Sequence, residues 1–205
     1  METIRKGAAV SFVIVLAGCL LTGCDTKGLV LGPYPLVLEL GAGEIPADAF
    51  GEGIPGVPAP VTLRMDYCTM PTEEQIAIAL EDTVGPGLAS VLRIGSIELE
   101  SIRIDATAGD FSSLYALVLH YIPGSATALG RVELGSAFSL TGFGSEVVLH
   151  PGSQVDLLDP IRENADGAPQ DCPQLELFLV GTAPEQAVAW TAEAMVDVYV
   201  VVGGL

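Results

Sequence analysis

Apolar and polar side chains alternate at every second position along most of the chain, which is the period of a half-buried strand. The run 34–40 shows this period with leucines at three alternate positions. Further strands are predicted over 61–67, 97–104, 115–122, 131–136, 146–150 and 175–180. The run 115–122 is apolar on both faces, which indicates a strand inside a sheet.

The apolar parity changes once within a run. Ile97 and Leu99 share one parity, whereas Ile102 and Ile104 take the other. One face stays buried across such a change only if an extra residue is inserted. A β-bulge or bend is therefore predicted in this strand.

The last run, Val188 to Val202, is the longest and most regular. The parity predicted to face the core consists of Trp190, Val196, Val198, Val200 and Val202. The opposite parity carries Thr191, Glu193, Asp197 and Tyr199. A slip of one residue would bury the two carboxylates, so this register should be strongly held.

One segment has a helical period instead. Thr72 is a suitable N-cap, and Gln75 three residues later completes a capping box. Apolar side chains then fall on one stripe, and a Gly-Pro-Gly sequence follows. A helix is predicted over 72–84.

Short strands separated by turns rich in glycine and proline predict a mainly β fold, an antiparallel β-sandwich with one short helix. A closed β-barrel is the alternative. Residues 41–60 hold five glycines and four prolines and predict a long irregular loop. Residues 34–205 are of ordinary size for one domain.

The first residues follow a different pattern. Arg5 and Lys6 precede an apolar run from Ala8 to Leu21, as in a secretory signal, which is predicted to be helical. This run has about 14 residues, fewer than the roughly 20 that a membrane-spanning helix needs.

Two overlapping segments at the end of this signal resemble the lipobox of bacterial lipoproteins, Leu16-Ala17-Gly18-Cys19 and Leu21-Thr22-Gly23-Cys24. The resemblance covers residues 1–24 only. It implies cleavage before the cysteine and transfer of a diacylglyceryl group to its thiol. Cys24 is the preferred lipidation site because polar residues follow it at once, and Cys19 is the alternative.

This resemblance divides the chain into a signal peptide over 1–23, a lipidated tether over 24–33 and the β-rich domain. It implies an exported protein anchored to a membrane of the bacterial cell envelope. The formal net charge is −18, from 26 acidic and 8 basic residues. Such a surface repels phosphate, which argues against nucleic acid as a partner. Contact with the membrane is therefore expected through the lipid.

Two cysteines remain outside the signal, Cys68 and Cys172. Exported domains lie in an oxidising compartment, where two remaining thiols most simply form a disulfide. A metal site and a free thiol are the alternatives. Neither cysteine has a second Cys or His at metal-ligand spacing, which disfavours the metal.

No catalytic motif or cofactor-binding loop is recognisable. The two histidines, His120 and His150, each end a predicted strand and accompany no Gly-x-Ser-x-Gly elbow. Asp156, Asp159 and Glu163 lie in a predicted acidic loop and are a weak calcium candidate without EF-hand spacing. A solvated acidic loop is the alternative reading.

These observations favour a non-enzymatic cell-envelope lipoprotein, a binding or scaffold module that envelope proteins could contact. The alternatives are a Ca²⁺-dependent adhesion module and an envelope hydrolase with an unrecognised carboxylate site. A pocket lined by two convergent carboxylates would favour the hydrolase. Among the aromatic side chains, Tyr199 is the one expected to be exposed for a ligand.

Overall fold

A computed structural model of the chain describes residues 4–5, 29–51, 57–68, 70–85, 92–124, 130–166 and 172–202. Its elements, in chain order, are β1 (Ile4–Arg5), β2 (Leu29–Ile45), β3 (Ala59–Asp66), α1 (Glu73–Val84), β4 (Leu92–Ala108), β5 (Leu114–Ile122), β6 (Val132–Phe138), β7 (Glu146–Leu149), α2 (Leu158–Asp166), β8 (Gln174–Gly181) and β9 (Val188–Val202).

The strands form two antiparallel sheets, A with the order β1-β2-β9-β4-β7 and B with the order β3-β8-β5-β6. The pairs are nested along the chain, because β5 pairs with β6, β4 with β7, β3 with β8 and β2 with β9. Pairing of β4 with β9 and of β5 with β8 completes the sheets. Apart from β1 at the edge, this is the strand order of a jelly roll. The predicted antiparallel sandwich is confirmed, and the described strands do not close into a barrel.

Strand β9 is the centre of sheet A, paired with β2 and β4 along its length. Its predicted register is confirmed. The core-facing parity is buried at Trp190, Ala192, Ala194, Val196, Val198 and Val200, and half-buried at Val202. Facing it from sheet B are the buried leucines of β5 and β8, so the core lies between the sheets.

The predicted bulge in β4 is also confirmed. The register of β4 against β9 shifts between Leu99 and Ser101, which leaves Glu100 as the extra residue. The insertion keeps four apolar side chains inside despite their change of parity: Ile97, Leu99, Ile102 and Ile104.

Helix α1 begins as its sequence predicts. The Thr72 hydroxyl accepts a hydrogen bond from the Gln75 backbone N–H at 3.3 Å. The Gln75 side chain accepts one from the Thr72 N–H at 2.9 Å. Ile76 and Leu80 are buried against the core.

The acidic segment predicted as a loop is instead helix α2. The Asp156 carboxylate accepts 2.9 Å hydrogen bonds from the backbone N–H groups of Leu158 and Ile97, so it caps the helix and fixes it to β4. Pro160 lies in the first turn, where a missing N–H costs no hydrogen bond. Leu158 and Ile161 are buried. The helix is only nine residues long, too short for its period to stand out.

The predicted tether over 24–33 is too long, because β2 already begins at Leu29. Leu29 and Leu31 pair with β9, and a register shift after Leu31 interrupts the alternation that would have revealed them. At its other end β2 continues to Ile45, which shortens the loop predicted over 41–60.

Most of the predicted signal peptide, together with Cys19 and Cys24, lies outside the described residues. Ile4–Arg5, within the predicted helical signal, form β1 and pair with Leu38 and Val37 of β2. In the parts of the chain that are described, no helix is long and apolar enough to cross a membrane.

The predicted disulfide between Cys68 and Cys172 is present, with the two Cα atoms 4.9 Å apart. The paired register of β3 and β8 ends with Asp66 opposite Gln174. Two residues further on, the same register brings the cysteines face to face. The bond therefore closes the ladder where β3 leaves sheet B toward α1.

Val198→Asp is expected to abolish cooperative folding, because it places an unpaired carboxylate at a fully buried position. Asp197→Asn on the opposite face should change the free energy of unfolding by less than about 1 kcal/mol. Asp197 faces Glu98 across the ladder, so its charge has an unfavourable neighbour. Urea titration followed by fluorescence of Trp190, the single tryptophan, measures both variants. Equal midpoints would contradict the register of β9.

The double variant Cys68→Ala/Cys172→Ala should lower the free energy of unfolding by about 2–5 kcal/mol. The disulfide joins residues 104 positions apart and so restricts the unfolded chain strongly. Wild-type protein treated with dithiothreitol is the control and should unfold at the urea midpoint of the double variant. An unchanged midpoint would show that the bond does not support the fold.

Candidate functional site

The outer face of sheet B carries titratable side chains that cross all four strands in one row. Arg64 on β3 is opposite Glu176 on β8. Glu176 is opposite His120 on β5, and His120 is opposite Glu133 on β6. Arg131, just before β6, reaches the same place. We call these five residues the charged row.

Glu176 is the buried centre of the charged row, with a side chain only 4% exposed. One carboxylate oxygen accepts a hydrogen bond from Arg64 Nε at 2.8 Å, and the other forms an ion pair with Arg131 Nη2 at 2.6 Å. These contacts, chiefly the hydrogen bond from Arg64, hold the pKa of Glu176 below its ordinary value despite desolvation. A carboxylate buried without such partners would be strongly unfavourable, so the three side chains hold one arrangement.

The contact between Arg131 and His120 determines where the imidazole carries its proton. Arg131 Nη2 lies 3.0 Å from His120 Nδ1. A guanidinium can only donate, so Nδ1 is the acceptor and the proton of the neutral ring is on Nε2. Burial, followed by the charge of Arg131, lowers the pKa of His120 against the opposing effect of Glu133 and Glu176. The neutral form of the imidazole, with Nε2–H as a donor, is therefore favoured.

Beside the charged row, the two central strands of the same face carry apolar side chains. The next row across the strands is Thr62, Phe178, Val118 and Ser136. The row after that is Pro60, Val180, Ala116 and Phe138. Phe178 and Val118, which we call the apolar floor, adjoin the charged row directly, and Phe138 is 75% exposed.

The charged row and the apolar floor line an open depression of about 850 Å³, together with Thr62. This volume is typical of ligand sites, which combine apolar surface with a few fixed polar groups. Two guanidinium groups and two carboxylates contribute formal charges that cancel, since His120 is neutral. The depression therefore offers hydrogen-bonding groups around an apolar surface with no net charge of its own.

Two carboxylates, those of Glu133 and Glu176, line this depression, which is the feature expected of a carboxylate hydrolase. A general acid needs a carboxyl pKa raised toward the working pH. The pKa of Glu176 is lowered, and an arginine occupies each of its oxygens. Glu176 is therefore suited to holding the site together, not to transferring a proton.

The outer face of sheet A is different, because carboxylates face each other on it. Burial and the charge of Glu98 raise the pKa of Asp197. Tyr199, the expected ligand contact, is half-buried on this face, and desolvation with the nearby carboxylates raises its pKa. It lies on the other sheet from the depression.

The calcium candidates lie just before α2 and within it. Asp156 caps the helix, and Asp159 is exposed in its first turn. No three His, Cys, Asp or Glu side chains come together as a metal site among those that the structure describes, a set that does not include the side chain of Glu163. The calcium site stays a prediction.

Sequence reasoning named His120 but missed the other four members of the charged row. Arg64 and Glu176 are 112 positions apart, so only the register of sheet B brings them together. One signal was present in the sequence. Glu176 is a single charged residue inside the apolar run 175–180, where a carboxylate needs a specific partner.

No protein-family model and no curated protein sequence matches this chain. Among solved structures, it is similar to Desmodium yellow mottle tymovirus, with 13% identity, 94% of this chain and 97% of that chain covered, and a TM-score of 0.31. It is similar to turnip yellow mosaic virus at 9% identity, with 95% of this chain and 92% of that chain covered and a TM-score of 0.28. It is similar to the decameric BFDV capsid protein at 12% identity, with 82% of this chain and 99% of that chain covered and a TM-score of 0.29. These TM-scores support no statement about function, and the fold assignment rests on the strand order.

The depressed pKa of His120 gives stability a defined dependence on pH. Below about pH 6.5 the unfolded chain protonates this histidine more readily than the folded chain does, so stability falls as the pH decreases from 7 to 5. His120→Gln removes the titration while keeping an acceptor for Arg131. Its free energy of unfolding should fall less over this range than that of the wild type.

Urea titrations at pH 7, 6 and 5 measure this difference, and His150→Gln, outside the depression, is the matched control. The carboxylates with lowered pKa, Glu176, Glu73 and Asp110, affect stability below this range. If His120→Gln has the same pH dependence as the wild type, the proposed protonation state of His120 is wrong.

Proposed function

We propose that this chain is a non-enzymatic lipoprotein of the bacterial cell envelope, a jelly-roll binding module on a lipid attached to Cys24. The observation that carries the proposal is the Cys68–Cys172 disulfide. Cys68 is exposed to solvent, and a disulfide at such a position persists where the compartment is oxidising. Export through the lipobox signal would deliver the domain to that compartment.

The start of the domain fits a short anchor. Strand β2 begins at Leu29, five residues after Cys24, and that stretch reaches at most roughly 18 Å. Leu29 and Leu92 both pair with Val202, so the starts of β2 and β4 lie at the end of sheet A nearest the anchor. The acidic body is repelled by anionic headgroups and should stand away from the bilayer.

Both helices lie at this anchor end. Arg162 on α2 donates from Nε to Glu73 on α1 at 2.8 Å and from Nη2 to the Ile94 carbonyl, near the start of β4, at 3.4 Å. Turns at the opposite end of the sandwich point away from the anchor. The depression lies on the outer face of sheet B, close to the ends of β3 and β5 on the anchor side.

The lipid site is tested by Cys24→Ser. Wild-type protein made in a bacterial host with radiolabelled palmitate should carry label and partition into the detergent phase of Triton X-114. Cys24→Ser should lose both properties, because its hydroxyl does not replace the thiol as lipid acceptor.

Cys19→Ser is the matched control and should keep the label. If Cys24→Ser keeps its lipid and Cys19→Ser loses it, the anchor is at Cys19. A wild-type protein without label would contradict the lipoprotein proposal itself.

A further inference from the structure

The rim of the depression offers both donors and acceptors. Arg64 uses Nε for Glu176, and its side chain is 62% exposed, so its Nη groups are donors at the rim. Arg131 uses Nη2 for Glu176 and His120 and has further N–H groups. His120 Nε2–H is another donor. The carboxylate of Glu133 is an acceptor, and the Thr62 hydroxyl is both donor and acceptor.

The floor of the depression is apolar and runs along the sheet. Phe178 and Val118 lie directly beside the charged row. Outside the depression, the next row of the same face carries Val180, Ala116 and the exposed ring of Phe138. Four strands span about 14 Å at the usual strand spacing. The surface therefore suits an extended ligand with an apolar face and hydrogen-bonding edges.

The charges of the depression and of the whole chain restrict the ligand to an uncharged molecule. The four formal charges of the depression cancel, whereas the whole chain carries −18 and repels anions at long range. Arg64 and Arg131, both half or more exposed at the rim, disfavour cations there. A hydroxyl group both donates and accepts without charge, which matches the mixed rim.

From these features we infer that the depression binds a neutral glycan, a chain of uncharged sugar rings whose C–H faces lie on the apolar floor and whose hydroxyls bond to the charged row. The inference rests on the proposed role of the domain as a binding module. A second copy of the chain is the competing occupant, which light scattering detects.

The test is isothermal titration calorimetry on the full chain, purified in a detergent without a sugar headgroup. The probes are cellohexaose, laminarihexaose, xylohexaose and chitohexaose, with hexagalacturonate as the anionic comparison. At least one neutral hexamer should bind with a Kd below about 1 mM. Glu133→Ala and His120→Ala should each weaken that binding by roughly tenfold, since each removes a hydrogen bond.

The matched controls are Glu146→Ala and His150→Ala, an exposed carboxylate and an exposed histidine elsewhere on the domain, which should leave binding unchanged. His120→Gln keeps an acceptor for Arg131 and a donor toward the ligand, so it should restore most of the affinity lost in His120→Ala. This rescue separates a direct contact from a general loss of folding.

Three results would overturn the inference. They are no binding of any neutral hexamer, tighter binding of hexagalacturonate than of every neutral one, and a dimer in light scattering that Glu133→Ala dissociates. Two other results would contradict the proposed function and leave the glycan site intact. A wild-type protein without palmitate label would refute the lipid anchor, and cleavage of a bound hexamer would refute the non-enzymatic role.

Discussion

The structure depends on a single register, that of β9 between β2 and β4. This strand is hydrogen-bonded on both sides, and its two parities differ sharply in polarity. Moving it by one residue would bury Glu193 and Asp197 and expose the valines, so only one alignment buries apolar surface. This alignment places β2 and β4 on either side of β9. Sheet B is then held against their inner faces by the shared core.

The free-energy cost of burying a charge also explains the charged row on sheet B. Glu176 lies in an apolar strand, and its carboxylate is tolerated there because Arg64 and Arg131 each bond to one of its oxygens. Because each arginine pairs with a different oxygen of this buried carboxylate, both guanidinium groups are held in place. Arg131 in turn fixes the tautomer of His120. Preorganised donors of this kind bind with less loss of side-chain entropy than mobile ones.

Local patterns predicted the fold well where one signal controlled one element. The capping box placed α1, the parity change revealed the bulge at Glu100, and alternation located β9 from end to end. Prediction was wrong where a tertiary contact decided the outcome, as at α2, whose start depends on a hydrogen bond from Ile97 to Asp156 across 59 positions. The charged row was missed for the same reason. Its members come from four strands, and no spacing in the sequence relates them.

The positions of the few basic side chains also bear on why two arginines pair with Glu176. In the described part of the chain, Arg103 pairs with Asp105 and Glu146, and Arg162 pairs with Glu73, all at partly exposed positions where an ion pair contributes little to stability. Among the residues that the structure describes, Glu176 is the one buried carboxylate that meets two arginines. A chain with 8 basic residues against 26 acidic ones has few cations to place. Replacing this trio by apolar side chains would extend the apolar surface of the sheet and need no ion pairs. The trio is therefore better explained by the polar rim it builds around the depression than by any gain in stability.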